Sequence, residues 1–389
     1  MATILFFPHP EFGHLNPPLK LARTLKRTGH CVYYLGLPDF EDYVRSQGLD
    51  YVSILENRCP KGYLKKRAND KARMDLDNLS LILWEATGSS GAAAFNLTKE
   101  IEEELDRVLR KLAPDLLIID FKLRDLAPIT AERFGVPTAI LSVTLIDLAP
   151  ITDSNDDHST ESGLPELFLC PREFDFPSPA KKNRHYIEPS IELDRKESHS
   201  FPWREVDEAK PLIYCSLGSQ SYQYEQSQTL FRAIIAAIGH SPDWQLVLAT
   251  GVHLSSADFN PVPQNVLVVS WAPQLELLER ASIMITHGGL GAVKECIFFG
   301  VPMIVFPCRW DQPHNAARVV HHGLGLRVDI NNVSVQQVLS LIDTVDKDPS
   351  FKGRIDAMSR TFRDIENSGV GVQTVENILS GFRRTQLAS

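Results

Sequence analysis

The sequence predicts an α/β protein built from two doubly wound, Rossmann-like domains that face each other across a cleft. Three observations predict it. Short strand-like and longer helix-like patterns alternate along the chain, the pattern of parallel sheets joined by crossover helices. The alternation stops between about Leu145 and Lys210, where Pro, Asp, Ser and charged residues crowd together, and then resumes. At 389 residues the chain is also too long for one ordinary domain, and two of about 190 residues each fit the usual size range.

In the first half the strands read TILFF, CVYYLG, YVSIL, LLIID and PTAILSV. After TILFF, apolar positions at Leu15, Leu19, Ala22 and Leu25 recur with a helical period. Gly29 supplies a stop before CVYYLG. The run LTKEIEEELDRVLRKLA is a second amphipathic helix. In the second half the strands read PLIYCSLGS, WQLVLATG, NVLVVS, SIMITHGG and PMIVFP. The domains are therefore residues 1–204, including long loops and a linker, and residues 205–367. A final helical piece, 368–389, has a pattern that does not say where it docks.

The composition, 43% hydrophobic and 23% charged, is that of a globular protein. A net charge of −9 leaves no basic surplus for a nucleic-acid partner. The basic run KGYLKKRANDKAR, Lys61 to Arg73, reads as a solvated loop rather than a binding patch. No apolar run reaches the ~18 residues of a membrane helix, and the start lacks the pattern of a signal peptide. The six cysteines are scattered without a CxxC pair. They read as reduced thiols of a cytoplasmic protein without structural zinc. The expected assembly is a monomer or weak dimer.

Open α/β sheets bind ligands outside the carboxyl ends of their strands, so residues that follow strands are the candidates. His14 follows the first strand; its plain alternative is a cap or a solvated side chain. Asp120 ends LLIID; its alternative is a helix cap. In the second half SLGS (Ser216–Ser219), SWAPQLELL (Ser270–Leu278) and the segment from Thr286 to Val319 each follow a strand and open a helix. THGG sets His287 beside Gly288 and Gly289, whose amides can approach an anion at the positive end of a helix. It is neither a Walker loop nor a dinucleotide turn, since Gly289 and Gly291 are followed by no third glycine at the right offset. For SLGS alone, a tight turn is the simpler reading.

Taken in order, WAPQ, THGG, Glu295, GVP and the P…WDQPHNA segment resemble the donor-binding signature of the UDP-glycosyltransferases. GHLNP, Gly13 to Pro17, resembles their acceptor-side motif. The resemblance spans essentially the whole chain and is most specific from Trp271 to Gln312. It implies a fold of the GT-B type. It also implies that Trp271 stacks on uracil, that Gln274 bonds the base edge and that Glu295 accepts from the ribose hydroxyls. His287 with the amides of Gly288 and Gly289 would hold the diphosphate, assisted by Ser219. Asp311 and Gln312 would bind the sugar, with Asn315 near the phosphates. Where relatives carry side-chain donors after the glycines, this chain has Leu290, Gly291 and Ala292. The backbone of Gly291 and Ala292 and the helix end must then serve.

The same resemblance pairs His14, as general base, with Asp120, as its orienting partner. It implies an inverting transferase that moves a sugar, glucose by the Asp311–Gln312 pair, from a UDP-sugar to a small lipophilic or aromatic natural product. No cofactor and no metal are expected, because the cradle would neutralise the diphosphate without one. Phe12, Trp84 and Phe121 are candidates to line the acceptor site, with core packing as the alternative. A dTDP-deoxysugar transferase stays open, as does an epimerase or hydrolase on the same fold, which would not need a base beside an acceptor pocket. A degenerate nucleotide-sugar-binding module is favoured by Leu290 to Ala292 and opposed by His14 with Asp120. A transferase at a membrane surface is opposed by the net charge and kept open by the Lys61–Arg73 run.

Overall fold

The computed structural model describes residues 1–68, 99–145, 163–179, 181–195, 200–218, 221, 224–251 and 254–388. Trp84 and Ser219 lie outside the described residues. The N-terminal sheet comprises β1 (Thr3–Phe7), β2 (Cys31–Gly36), β3 (Asp50–Ser53), β4 (Leu116–Asp120), β5 (Thr138–Ser142), β6 (Glu166–Phe168) and β7 (Arg184–Tyr186). All pairings are parallel, in the order β3-β2-β1-β4-β5-β6-β7. Every residue of β4 and β5 is buried, which explains their unbroken apolar sequences: a central parallel strand has helices on both faces.

The C-terminal sheet comprises β8 (Leu212–Ser216), β9 (Gln245–Ala249), β10 (Val266–Val269), β11 (Ala281–Thr286), β12 (Met303–Val305) and β13 (Gly325–Arg327). It is parallel too, in the order β10-β9-β8-β11-β12-β13. In both sheets the strand order reverses beside the first strand, between β1 and β4 and between β8 and β11. Those switch points open a crevice at the strand ends.

Three strands arise where the sequence suggests loops or nothing. β6 and β7 fall in the Pro- and Asp-rich stretch and add two rungs to the N-terminal sheet, while β13 closes the C-terminal one. Each has three residues, too few for a hydrophobic period to show. The neighbouring strand's free edge dictates them instead.

The C-terminal helix, Val370–Ala388, returns to the N-terminal domain. Val375, Ile378 and Leu379 are buried in the same cluster as Ile4, Leu25 and Leu117. Arg383 pairs with Asp115 at 3.1 Å, and the Gly371 N–H donates to Glu188 at 2.7 Å. The crossing between the domains is pinned by buried polar groups. Glu366 accepts the N–H groups of Ser190 and Ile191 at 2.8 and 2.9 Å and pairs with Lys20. Lys294 donates to the carbonyls of Leu169 and Pro189, each at 2.7 Å. Arg318 bonds Asp175 and the Leu145 carbonyl, each at 2.7 Å. Leaving one such buried donor or acceptor unpaired costs about 1–3 kcal/mol, so the linker has one preferred path. Among the described residues no helix is long and apolar enough to cross a membrane.

Candidate active site

His14 lies in a one-turn helix, Phe12–Leu15, just after β1. Pro17 and Pro18 follow at once and separate this turn from the helix Leu19–Arg27; a proline ring cannot continue a helix. Asp120 ends β4, the strand paired directly with β1. The topology therefore brings together two residues 106 positions apart, and His14 Nδ1 meets Asp120 Oδ2 at 2.9 Å. A carboxylate only accepts, so the proton sits on Nδ1 and the lone pair on Nε2. The other Asp120 oxygen accepts the Lys122 N–H at 2.9 Å, which fixes the carboxylate. Asp120 is 1% exposed and His14 8%. Phe121 stacks on the imidazole, with ring centroids 5.6 Å apart. Phe12 is exposed and meets Phe40 and Tyr43 edge-on.

On the other side, His287 follows β11 and its ring is wedged between two glycines. A Cβ at Gly218 would lie 2.7 Å from its Cε1, and one at Gly289 would lie 2.7 Å from its Nε2. Gly218 has φ +78°, a left-handed value that glycine adopts without strain. Burial pushes the His287 imidazole down to about 4, so it is neutral at pH 7. The helix Leu290–Phe299 starts directly after Gly289 without a side-chain cap. Leu290 is buried in the core, Gly291 is exposed with open space around its Cα, and Ala292 is half-buried.

Trp271 follows β10 and is half-buried. Gln274 opens the next helix, and its Nε2 donates to Glu295 Oε2. Glu295 Oε1 accepts from Arg195 at 3.2 Å. The sequence pattern gave no sign of Arg195, which comes from the linker. Asp311 accepts from Asn315 Nδ2 at 2.8 Å, and the same group donates to the Gly288 carbonyl at 2.9 Å. Asn315, fully buried, thus ties the Asp311 loop to the glycine turn. Gln312 is turned inward as well. Its Oε1 accepts the N–H groups of Cys308 and Arg309, and its Nε2 donates to Tyr224 at 2.9 Å. As the side chain stands, it shapes the loop rather than facing a sugar. Burial raises the Asp311 carboxyl, opposed chiefly by the Asn315 hydrogen bond.

Two parallel, doubly wound sheets, one carrying a His–Asp pair at its switch point and the other a glycine-bounded histidine, form the architecture of the GT-B glycosyltransferases. The profile of the family described as "UDP-glucoronosyl and UDP-glucosyl transferase" matches residues 152–369, and the chain belongs to that family. It is 24% identical over 410 residues to NDP-glycosyltransferase YjiC of Bacillus licheniformis, covering 97% of this chain and 98% of the relative. It is also 24% identical to demethyllactenocin mycarosyltransferase of Streptomyces fradiae, covering 98% of this chain and 87% of the relative. Among solved structures, glycosyltransferase VinC in complex with dTDP is similar in fold, with TM-score 0.74 at 19% identity over 98% of this chain and 100% of that one.

Proposed function

We propose that the protein transfers a sugar from a nucleoside diphosphate sugar to a hydroxyl of a small natural-product acceptor, with inversion at the anomeric carbon. The observation that carries this reading is the His14–Asp120 pair at the switch point of the N-terminal sheet. His14 Nε2 takes the proton of the acceptor hydroxyl as its oxygen attacks the anomeric carbon. Asp120 holds the imidazole in the required tautomer and stabilises the imidazolium that forms. The bond to the diphosphate breaks on the opposite face of the sugar, hence inversion. His287, the backbone amides from Gly289 to Ala292 and the end of the helix Leu290–Phe299 receive the departing charge. No metal is required in this scheme.

On the donor, Trp271 is the platform for the base and Glu295 the acceptor for ribose hydroxyls, which favours a UDP-sugar; glucose rests on the resemblance at Asp311 and Gln312. A dTDP-deoxysugar is the second reading. It is supported by the mycarosyltransferase relative and by Arg195, which already occupies one Glu295 oxygen. The test is a panel of UDP- and dTDP-sugars against phenolic and hydroxylated lipophilic acceptors. Products are read by mass spectrometry and anomeric configuration by proton coupling. A β-linked product from an α-linked donor, formed equally after dialysis against EDTA, is the expected result. Donor consumption without an acceptor product would favour the hydrolase or epimerase reading. Activity lost to EDTA and restored by Mg²⁺ would refute the metal-free cradle.

A further inference from the structure

The segment just before the base, Pro8-His9-Pro10-Glu11, has no task in the transfer as proposed. His9 is 1% exposed. Its ring lies 5.2 Å from that of His14, and its Nδ1 lies 3.8 Å from Glu11 Oε2. One ligand atom each from His9, Glu11 and His14 all lie within 4.8 Å of one another. Two imidazoles and a carboxylate are a donor set that zinc accepts while keeping a fourth position open. Mg²⁺ and Ca²⁺ prefer oxygen throughout.

A second feature points the same way. His14 gives its Nδ1 proton to Asp120, itself fixed by the Lys122 N–H. Metal-bound histidines characteristically donate their other ring nitrogen to a carboxylate, which orients the ring and raises its basicity. The arrangement that makes His14 a good base therefore also makes its Nε2 a good zinc ligand.

We infer that His9, Glu11 and His14 form a zinc site whose occupation switches transfer off. Zinc on Nε2 takes the lone pair that must receive the acceptor's proton. The inhibition rests on the proposed role of His14 as base; the binding does not. Tetrahedral ligands about 2.0–2.1 Å from zinc sit roughly 3.3 Å apart, so the triangle must tighten on binding. Glu11 is the member best able to move, being partly exposed and carried between two turns. Its present cationic neighbour is Lys122, with Nζ 3.5 Å from Oε2; a dication would displace that ammonium from the carboxylate.

The test uses the full chain, freed of metal, at neutral pH. Cys31 is a free thiol at the surface, so every protein carries Cys31→Ser to remove background binding. Co²⁺ absorption reports a tetrahedral site, and zinc competition gives the affinity. The parent should show the tetrahedral spectrum. Zinc should inhibit its transfer in competition with the acceptor and not with the nucleotide sugar, reversibly with EDTA. His9→Gln should keep metal-free transfer and bind zinc about tenfold or more weaker. Glu11→Gln, at a partly exposed position, should weaken zinc in the same direction and guards against a folding defect at buried His9. Equal zinc affinity in the parent and both variants overturns the site and leaves the base reading intact. Zinc that binds through His9 while transfer continues overturns the switch, and with it the role of His14 as base.

Discussion

The two halves of the candidate site are built from different materials. The N-terminal half depends on side chains: His14 is held by one carboxylate oxygen, and that carboxylate by one backbone amide. The C-terminal half depends on backbone and absence. The turn around His287 is built from glycines that leave room for its ring and from helix amides without a side-chain cap. A side-chain device fails when one atom is removed. A backbone device is hard to remove by substitution and easy to obstruct. Single substitutions should therefore separate rate from affinity along the domain boundary.

The largest effect is expected at His14, the proposed base. His14→Ala should lower transfer to an ordinary alcohol by roughly 10²–10⁴-fold while leaving nucleotide-sugar affinity near the parent's, since His14 sits on the other domain. Asp120→Asn should lose less, through a misoriented ring. Both losses should shrink for a nitrophenol acceptor, whose proton is already acidic. The measurement is initial rate against acceptor pKa, with calorimetric donor affinity as control. Parent-like transfer to an alcohol by the alanine variant would reduce His14 to a helix-terminal residue.

Next comes the base platform. Trp271→Ala should weaken nucleotide binding by about 1–3 kcal/mol, the usual worth of stacking a base on an aromatic ring. The turnover number at saturating donor should change little. A change in turnover with unaltered affinity would reverse the division of labour between the halves. Arg195→Ala refines the same experiment: freeing Glu295 Oε1 should raise the preference for UDP over dTDP, because only ribose offers a second hydroxyl to that carboxylate.

How far the sequence shows this site differs between its parts. His14, Asp120 and His287 are legible as candidates because each ends or follows a strand-like run, whereas Glu295, inside the helix Leu290–Phe299, is singled out only by the family resemblance. Asp120 needs only the run LLIID to be placed. What escapes is supplied by chain from elsewhere. Arg195 reaches Glu295 from a linker without periodicity, and Tyr224 takes up Gln312 from a loop. Gln312 and Asn315 are legible as motif members, yet their amides are spent on backbone groups and neighbouring side chains. A motif gives residue identity, and only packing decides which way a side chain faces. The C-terminal helix is a further case. Its apolar stripe is visible, but the surface that receives it is made by residues far earlier in the chain, among them Ile4, Leu25 and Leu117.

A smaller effect tests the reliance on backbone. Ala292 stands in the first turn of the helix behind the cradle, half-buried. Ala292→Ser adds a hydroxyl there. A new hydrogen bond is worth about 0.5–1.5 kcal/mol, so nucleotide-sugar affinity should rise by a few-fold. Unchanged affinity, with folding intact by thermal melting, would mean that the diphosphate does not approach this turn.

The smallest expected effect is an absence of change. Burial holds the His287 imidazole at about 4 in the folded protein, against about 6.5 when unfolded. Between those values the unfolded chain binds the extra proton and the folded one does not, so folding stability rises with pH there. The contribution is fully present above about 6.5 and is lost as pH falls towards 4. Donor binding should behave differently. The two phosphates of a nucleotide sugar carry no proton to lose between pH 5.5 and 8. A bound anion would raise the imidazole's pKa by about one unit or two, which leaves it neutral through most of that window. Nucleotide-sugar affinity, measured without acceptor, should therefore stay nearly flat from pH 6 to 8, while the thermal midpoint declines below about 6.5. His287→Asn should flatten that decline. Affinity that strengthens steeply on acidification, and does so only with His287 present, would show that the cradle holds the diphosphate with an imidazolium. The donor half would then depend on a charged side chain after all, as the acceptor half does.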